Sequence, residues 1–260
     1  MLRPRIIPCL LMQDGGLVKT VRFKDPKYVG DPINAVKIFN EKEADELIVL
    51  DIDATVNGRA PDHRKIANLA AECRMPLCYG GGIHTPEQAR AIIALGVEKV
   101  AISAAAIEDT SLVTRIAEEI GSQSVVVVLD HKQRMLSKQH DVWTHNGTRN
   151  SKRSVLDVAR EMEAAGAGEI VINSIDLDGR MKGYDVTLAT QLRSHVNIPV
   201  TILGGCGSLQ DMHNLVAACG VVGVAAGSFF VFKGSYRAVL ISYPSARQKD
   251  EMIFSALDQR

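Results

Sequence analysis

Short apolar runs alternate with amphipathic stretches of about ten to fifteen residues along most of this chain. Apolar runs of strand length separated by helical stretches are typical of βα units, in which the crossover makes neighbouring strands parallel. Eight runs are enough to close a barrel, so the predicted fold class is α/β, a (β/α)8 TIM barrel. The eight runs are residues 6–11, 46–52, 77–80, 99–103, 124–130, 169–174, 200–204 and 223–226.

The stretches between the runs carry helix signals, with Thr85 and Thr110 as expected N-caps. Residues 131–154 differ, because the turn Asn146-Gly147 predicts a short β excursion there. No linker-like segment interrupts the alternation, and a barrel of this kind runs about 250 residues as one domain, so we expect one domain over residues 1–260. The predicted helices include residues 32–42, 64–73, 86–95 and 112–120.

The second half of the chain repeats the first at a spacing of about 120 residues. Residues 50–53 correspond to residues 173–176, and the glycines after the third run correspond to those after the seventh. The repeat predicts two fused half-barrels, since a solenoid would need more and shorter repeats. One pair of positions differs, because the first run ends in Leu11 and the fifth ends in Asp130.

The charges of the chain cancel, with 30 basic and 30 acidic side chains. The net charge therefore gives no argument for nucleic acid or a membrane surface as a partner, and any phosphate binding must be local. Five cysteines without paired spacing are typical of reduced thiols, and no metal or cofactor is predicted. The first apolar run is too short for a signal peptide or a membrane span, so we expect a cytoplasmic protein.

Glycines follow the third and seventh runs directly, as Gly81-Gly82 and Gly204-Gly205. Glycine lets backbone N–H groups approach an oxyanion closely, and barrels bind phosphates on such loops. With Gly227-Ser228 beside the second pair, the repeat predicts two phosphate sites at opposite sides of the barrel mouth. The alternative is that these glycines only make tight turns.

Aspartates crowd the same ends of the predicted strands: Asp51 and Asp53, Asp130, and Asp176 with Asp178. A carboxylate at the carboxyl end of a barrel strand points into the mouth, where it can transfer protons or hold substrate hydroxyls. Asp130 ends an apolar run in which no local turn needs a carboxylate, so a functional role is favoured. Asp51 and Asp176 are candidates for substrate contact or for capping the loops that follow them.

Over nearly its whole length, the chain resembles a known family, the cyclase subunit of imidazole glycerol phosphate synthase. That barrel receives ammonia from a glutaminase partner in histidine biosynthesis. The resemblance therefore implies a heterodimer with a glutaminase and a phosphorylated small-molecule substrate. The matching stretches are residues 5–10, 30–32, 45–47, 79–83, 121–123, 166–170, 174–179 and 183–185.

The resemblance also implies roles for particular residues. Ammonia enters the family's barrel at the bottom through a ring of charged side chains, and two positive and two negative groups can satisfy one another while closing a narrow pore. The alternative is a set of ordinary rim salt bridges. The residues that match the ring are Arg5, Glu46, Lys99 and Glu169, and those that match partner-facing positions are Glu98 and Gln123.

The chain departs from the family at the first strand, where Leu11 replaces one of two catalytic aspartates and Asp130 matches the other. Leucine transfers no proton, and the loss of a general acid or base typically slows a reaction about 10²- to 10⁴-fold. Residues 101–105 lack the family's phosphate-holding Asn and Thr, which leaves Ser103 as the candidate there. The catalytic Lys19 is present, and this argues against simple decay.

A subgroup resembles the chain still better, namely cyclase-like proteins of surface-polysaccharide gene clusters, associated with sugar amidation together with a glutaminase and a separate sugar amidotransferase. The first hypothesis is therefore an ammonia-channelling subunit diverted to a lipopolysaccharide sugar. The second is a working histidine-pathway cyclase that uses Asp130 with another acid such as Asp178. The third is a non-catalytic scaffold that activates the glutaminase. The stretches that match the subgroup include residues 8–11, 15–20, 26–32, 144–148 and 237–244.

Overall fold

The strands form a closed parallel barrel in the computed structural model, which describes residues 3–135, 137, 139–234 and 236–259. The strands are β1 (Arg5–Gln13), β2 (Gly16–Val21), β3 (Lys24–Gly30), β4 (Leu47–Asp51), β5 (Leu77–Gly80), β6 (Lys99–Ile102), β7 (Val125–Gln133), β8 (His140–Thr144), β9 (Arg149–Ser154), β10 (Glu169–Ser174), β11 (Val200–Leu203), β12 (Gly223–Ala226), β13 (Phe232–Lys233) and β14 (Ala238–Val239). Eight of them close the barrel in the order β1, β4, β5, β6, β7, β10, β11, β12 and back to β1. The (β/α)8 prediction is confirmed.

Helices connect the barrel strands and pack on their outer face. The helices are α1 (Pro32–Glu41), α2 (His63–Glu72), α3 (Pro86–Ala94), α4 (Ala104–Glu108), α5 (Ser111–Ile120), α6 (Val155–Ala164), α7 (Val186–His195), α8 (Leu209–Cys219), α9 (Ser228–Val231) and α10 (Ala246–Leu257). Across the part of the chain that is described, none of them has both the length and the hydropathy needed to cross a bilayer.

One of the two predicted helix caps is correct. Thr85 begins α3 with a capping box, in which its side chain and that of Gln88 each accept a hydrogen bond from the other's backbone. The prediction for Thr110 is wrong, because its backbone is already helical and its hydroxyl donates instead to Glu161 Oε1 at 2.5 Å. Asp109 takes the capping contact, accepting from the N–H of Ser111 at 3.0 Å.

Apolar side chains form two separate cores on the two faces of the barrel wall. The larger core lies between strands and helices, where Phe39, Ile66 and Leu215 are fully buried. The smaller one fills the barrel interior and has Leu11 and Leu50 packed against its upper edge. It consists of Ile7, Cys9, Ile48, Cys78, Ala101, Val126, Val128, Val171, Leu203 and Ala225. The centre of the barrel is therefore apolar.

Two β-hairpins extend from the carboxyl ends of opposite barrel strands. The excursion predicted in residues 131–154 is the hairpin β8–β9, which pairs with the end of β7. Sequence patterns did not indicate the other hairpin, β2–β3, which pairs with the end of β1. Its turn places Arg22 and Phe23 at φ of 55° and 60°, a conformation that Asn-Gly adopts more readily, so the usual sequence signal is missing.

Candidate active site and ion ring

A cavity that is partly open to solvent lies at the carboxyl ends of the barrel strands. This is the end of a barrel at which catalytic sites are built. Most of the predicted site residues line it, and so does Leu11. Those residues are Lys19, Asp51, Gly81, Gly82, Ser103, Asp130, Asp178, Gly204, Gly205, Gly227 and Ser228.

Asp130 lines the cavity from β7, three residues before that strand ends. Burial raises the pKa of its carboxyl to about 7, and this effect outweighs the hydrogen bond from Asn173, which lowers the pKa. Asn173 Nδ2 donates to Asp130 Oδ1 at 2.9 Å, which fixes the orientation of the carboxyl group. A carboxyl with a pKa near neutrality, in a cleft, is suited to general acid or base catalysis.

Leu11 lies on β1, opposite β7 in the barrel, and packs against the inner core beside Leu50. Lys19 is buried near it, and its ammonium donates to the carbonyl oxygen of Cys9 at 2.6 Å. Burial lowers the pKa of Lys19. β1 therefore offers no carboxylate to the cavity, and the amino group of Lys19 reaches the cavity from the neighbouring strand β2.

Asp178 lines the cavity and also holds the hairpin β2–β3 in place. Its Oδ2 accepts from Thr20 Oγ1 at 2.6 Å and from the N–H of Phe23 at 3.1 Å. Its backbone oxygen accepts from the N–H of Arg22 at 3.1 Å. Burial raises the pKa of the Asp178 carboxyl. Since one carboxylate oxygen is already engaged twice, the geometry favours a positioning role for Asp178 over proton transfer.

We expect Asp178→Ala to release the hairpin, because alanine has no side-chain oxygen to accept the hydrogen bonds from Thr20 and Phe23. Hydrogen bonds to a charged group contribute about 1.5–3 kcal/mol each, so opening of the hairpin should become more frequent by a factor of roughly ten or more. The measurement is the rate of limited tryptic cleavage after Arg22 and Lys24. Asp176→Ala is the matched control, and equal cleavage rates for the two variants would contradict the role.

The glycine pairs have a structural explanation in addition to the predicted one. A Cβ on Gly81 would lie 2.4 Å from the carbonyl oxygen of Asp51, and one on Gly204 would lie 2.8 Å from that of Ser174. Both glycines have positive φ. The two pairs thus occupy equivalent positions against neighbouring strand ends, and close packing alone requires glycine there. Phosphate binding at these loops remains a prediction.

Asp51 and Asp176 accept hydrogen bonds from backbone N–H groups of their own or neighbouring loops. Asp51 Oδ1 accepts from the N–H groups of Asp53 and Ala54 at 3.2 Å each, as a loop cap does, although it still lines the cavity. Burial raises the pKa of Asp51. Asp176 is not among the residues that line the cavity, and its carboxylate accepts from the N–H of Gln133 at 3.1 Å. A substrate contact by Asp176 therefore has no support from its position.

Several cavity residues were not found from the sequence. Asn173 was detectable in principle, because Glu169, Val171 and Asn173 alternate along one face of β10. His145 and Asn146 were not detectable, because it is the turn of β8–β9 that brings them to the cavity. There Asn146 Nδ2 donates to the carbonyl oxygen of Ile52 at 2.9 Å. That contact joins residues 94 positions apart, which no local pattern reveals.

The rim of the mouth is more basic than the chain as a whole. The hairpins β2–β3 and β13–β14 touch, since Lys27 Nζ lies 5.7 Å from the ring centroid of Phe232. Within the second hairpin, Arg237 Cζ lies 4.6 Å from the same centroid. In residues 16–30 and 232–239 basic side chains outnumber acidic ones six to one. Because the whole chain is neutral, this rim is a local positive region.

At the opposite end of the barrel, four charged side chains form a closed ring. Lys99 Nζ lies 2.8 Å from Glu46 Oε1 and 2.9 Å from Glu169 Oε2. Arg5 completes the ring through Glu46 and through Glu169 Oε1, the latter at 2.8 Å. Burial alone would raise the pKa of Glu169, but Arg5 and Lys99 bring the net shift below its usual value. Glu169 therefore stays ionised, and the ring closes the bottom of the apolar interior.

We expect Glu46→Gln to lower the free energy of unfolding by about 3 kcal/mol, because Arg5 and Lys99 would then share one carboxylate in a buried ring. This is the lower end of the range for breaking a buried pair, since Arg5 remains partly exposed. Urea denaturation at neutral pH measures the change. Glu251→Gln, in an exposed pair with Arg247, should cost about 0.5 kcal/mol or less. Equal losses would contradict a stabilising ring.

Glu98 and Gln123 are exposed next to this ring, just before β6 and β7. Their position agrees with a surface available to a partner, and the partner itself remains a prediction. Within the described ranges, no group of three or more His, Cys, Asp or Glu side chains is arranged to hold a metal ion.

Comparison with known proteins gives a consistent result. The chain matches the family described as "Histidine biosynthesis protein" over residues 5–237. A Leptospira borgpetersenii protein, provisionally named imidazole glycerol phosphate synthase subunit HisF, is 53% identical over 252 residues, which are 97% of this chain and 99% of that protein. A Pseudomonas aeruginosa protein, provisionally named imidazole glycerol phosphate synthase subunit hisF2, is 55% identical over 250 residues, 96% of this chain and 99% of that protein. Imidazole glycerol phosphate synthase subunit HisF of Lactococcus lactis is 40% identical over 212 residues, 82% of each chain.

Proposed function

This chain belongs to the histidine biosynthesis protein family, and within it we propose an ammonia-receiving synthase subunit that works with a glutaminase. One observation carries the proposal: an ion ring and an aspartate-lined cavity lie at opposite ends of one apolar barrel interior. The subunit names of the relatives agree with a multi-subunit enzyme. Glu98 and Gln123, exposed beside the ring, are the proposed contacts for the glutaminase.

The apolar interior suits ammonia and excludes ammonium. An unpaired ammonium ion would lose its hydration among Cys9, Val126 and Val171, and this desolvation costs far more free energy than the desolvation of neutral ammonia. In the proposed path, Lys99 moves aside, ammonia enters as the neutral molecule, and it reaches the cavity beside Asp130. Water is excluded along the way, so the delivered ammonia stays unprotonated.

In the cavity, Asp130 is the proposed general base. Its raised pKa makes it a better proton acceptor than an ordinary carboxylate, and Asn173 holds it in one orientation. It takes a proton from the ammonia nitrogen as that nitrogen adds to a carbonyl carbon of the substrate and the π electrons of the C=O bond move to the carbonyl oxygen. Lys19 and the basic rim supply positive charge for a phosphorylated substrate, and the two glycine loops with Ser103 and Ser228 are its proposed phosphate contacts.

The relatives' names favour one acceptor reaction, conversion of the ribulosyl-formimino-aminoimidazole carboxamide ribotide plus ammonia to imidazole glycerol phosphate and AICAR. Leu11 favours a second candidate, amidation of a lipopolysaccharide sugar with a separate sugar amidotransferase, because delivery of ammonia alone needs no acid on the first strand. None of the relatives' names above mentions a sugar, so cyclisation is the better supported of the two.

The decisive experiment supplies the purified chain with ammonia and the ribulosyl-formimino substrate. Formation of imidazole glycerol phosphate at a rate well above that of the buffer is expected for the cyclase. Addition of the glutaminase and glutamine in place of ammonia tests delivery through the ring. No product under either condition would reject the cyclisation reaction. Glutaminase stimulation without any need for Asp130 would instead favour the scaffold hypothesis.

A further inference from the structure

A threonine inside the barrel completes the binding of one ring carboxylate. Thr201 on β11 is fully buried, and its hydroxyl donates to Glu169 Oε1 at 2.6 Å. With Arg5 on the same oxygen and Lys99 on the other, Glu169 is held from three sides. The hydrogen bonds found to the side chain of Glu46 come from Arg5 and Lys99 alone within the described residues. The two glutamates are therefore not equivalent.

Gly223 on β12 makes room for this threonine. It lies between Arg5 and Thr201 in the strand register, paired with both. A Cβ at Gly223 would lie 1.8 Å from Thr201 Oγ1 and 2.8 Å from Thr201 Cβ. Its φ is not in the left-handed region, so backbone conformation does not explain the glycine. The space occupied by the Thr201 hydroxyl explains why residue 223 is glycine.

We infer that Thr201 is a positioning residue that fixes Glu169 in the ion ring, with Gly223 as the residue that leaves space for it. Glu169 is the fixed side of the ring because a neutral, immobile donor holds it. Glu46 is held only by cations, and Lys99 is shared between the two carboxylates. When Lys99 moves, Thr201 and Arg5 keep Glu169 in place, so the ring opens on the Lys99 side.

The effect of Thr201 on delivery of glutamine-derived ammonia rests on the proposed function. In Thr201→Val, Glu169 keeps only its contacts with Arg5 and Lys99. We expect it to move with Lys99, so that the ring stays partly closed. We expect glutamine-dependent turnover of the complex to fall about tenfold, the rate equivalent of one charge-assisted hydrogen bond. Turnover with added ammonia, which reaches Asp130 through the open mouth, should change less than about twofold. The ratio of the two rates is the measurement.

Thr201→Ser is the matched control, since it keeps the hydroxyl and should retain the wild-type ratio. Gly223→Ala should act in the same direction as Thr201→Val, because its methyl group displaces the hydroxyl. A merely structural effect would lower both rates together and leave the ratio unchanged. A ratio within about twofold of wild type in Thr201→Val would overturn the role in delivery.

A second measurement on the same variants needs no substrate. The carboxyl ¹³C signal of Glu169 is titrated in the isolated chain, and its pKa should rise in Thr201→Val, because one donor to the charged form is gone. An unchanged pKa would overturn the positioning role itself. If the wild-type complex transferred no glutamine-derived ammonia, the proposed function would fail, and this titration would still decide whether Thr201 holds Glu169.

Discussion

Asp130→Asn should reduce ammonia-dependent turnover about 10²- to 10⁴-fold, because it removes the proposed general base and leaves the shape of the cavity intact. Turnover of the wild-type chain, expressed per unprotonated ammonia, should rise with pH through about 7, the pKa of Asp130. The variant should lose this dependence. A variant that kept more than about a tenth of the wild-type rate would contradict a catalytic role.

The same substitution should stabilise the fold at alkaline pH. The pKa of Asp130 is raised to about 7 in the folded chain, so its favourable contribution is present below about pH 4 and is lost as the pH rises through 7. At pH 8 the wild-type protein holds an ionised, buried carboxylate, whereas an amide stays neutral. Urea denaturation should show the variant more stable by about 2–4 kcal/mol at pH 8 and by less at pH 5.

Leu11→Asp should raise the rate of cyclisation about 10²- to 10⁴-fold if the missing acid limits that reaction. The new carboxylate would enter a cavity that already holds Lys19 nearby and Asp130 on the opposite strand. Loss of contact with the inner core beside Leu50 should cost some stability, so the unfolding free energy is measured in parallel. Product formation from the ribulosyl-formimino substrate is the readout.

Leu11→Asn is the control for this gain, since asparagine adds polarity without a transferable proton. Equal rates for the two variants would show that proton transfer at position 11 does not limit cyclisation. If neither variant nor the wild-type chain formed product, the second candidate acceptor, a sugar, would become the better explanation. The rates of the wild-type chain and the two Leu11 variants therefore distinguish the two acceptor reactions.

Much of the site was predictable because strand ends can be located from the sequence. The limits of β10 and β12 agree with the apolar runs, and all eight barrel strands were found. In a parallel barrel the residues after the strands must meet at one end, so Asp130, Ser103 and the glycine pairs were placed correctly in the cavity. Asp176 does not line the cavity, because its loop turns the carboxylate towards the N–H of Gln133, and this agrees with the alternative of a loop cap.

The sequence alone determined the alternating fold and the identity of the residues at the barrel mouth, because strand and helix periodicity are local properties. The tertiary structure decided how those residues pair. Arg5 meets Glu169 across 164 positions, and Asp178 meets Thr20 across 158. Such contacts depend on barrel closure and strand register, which no local pattern encodes. The raised pKa of Asp130 is likewise a property of its surroundings, since burial in the closed barrel causes it.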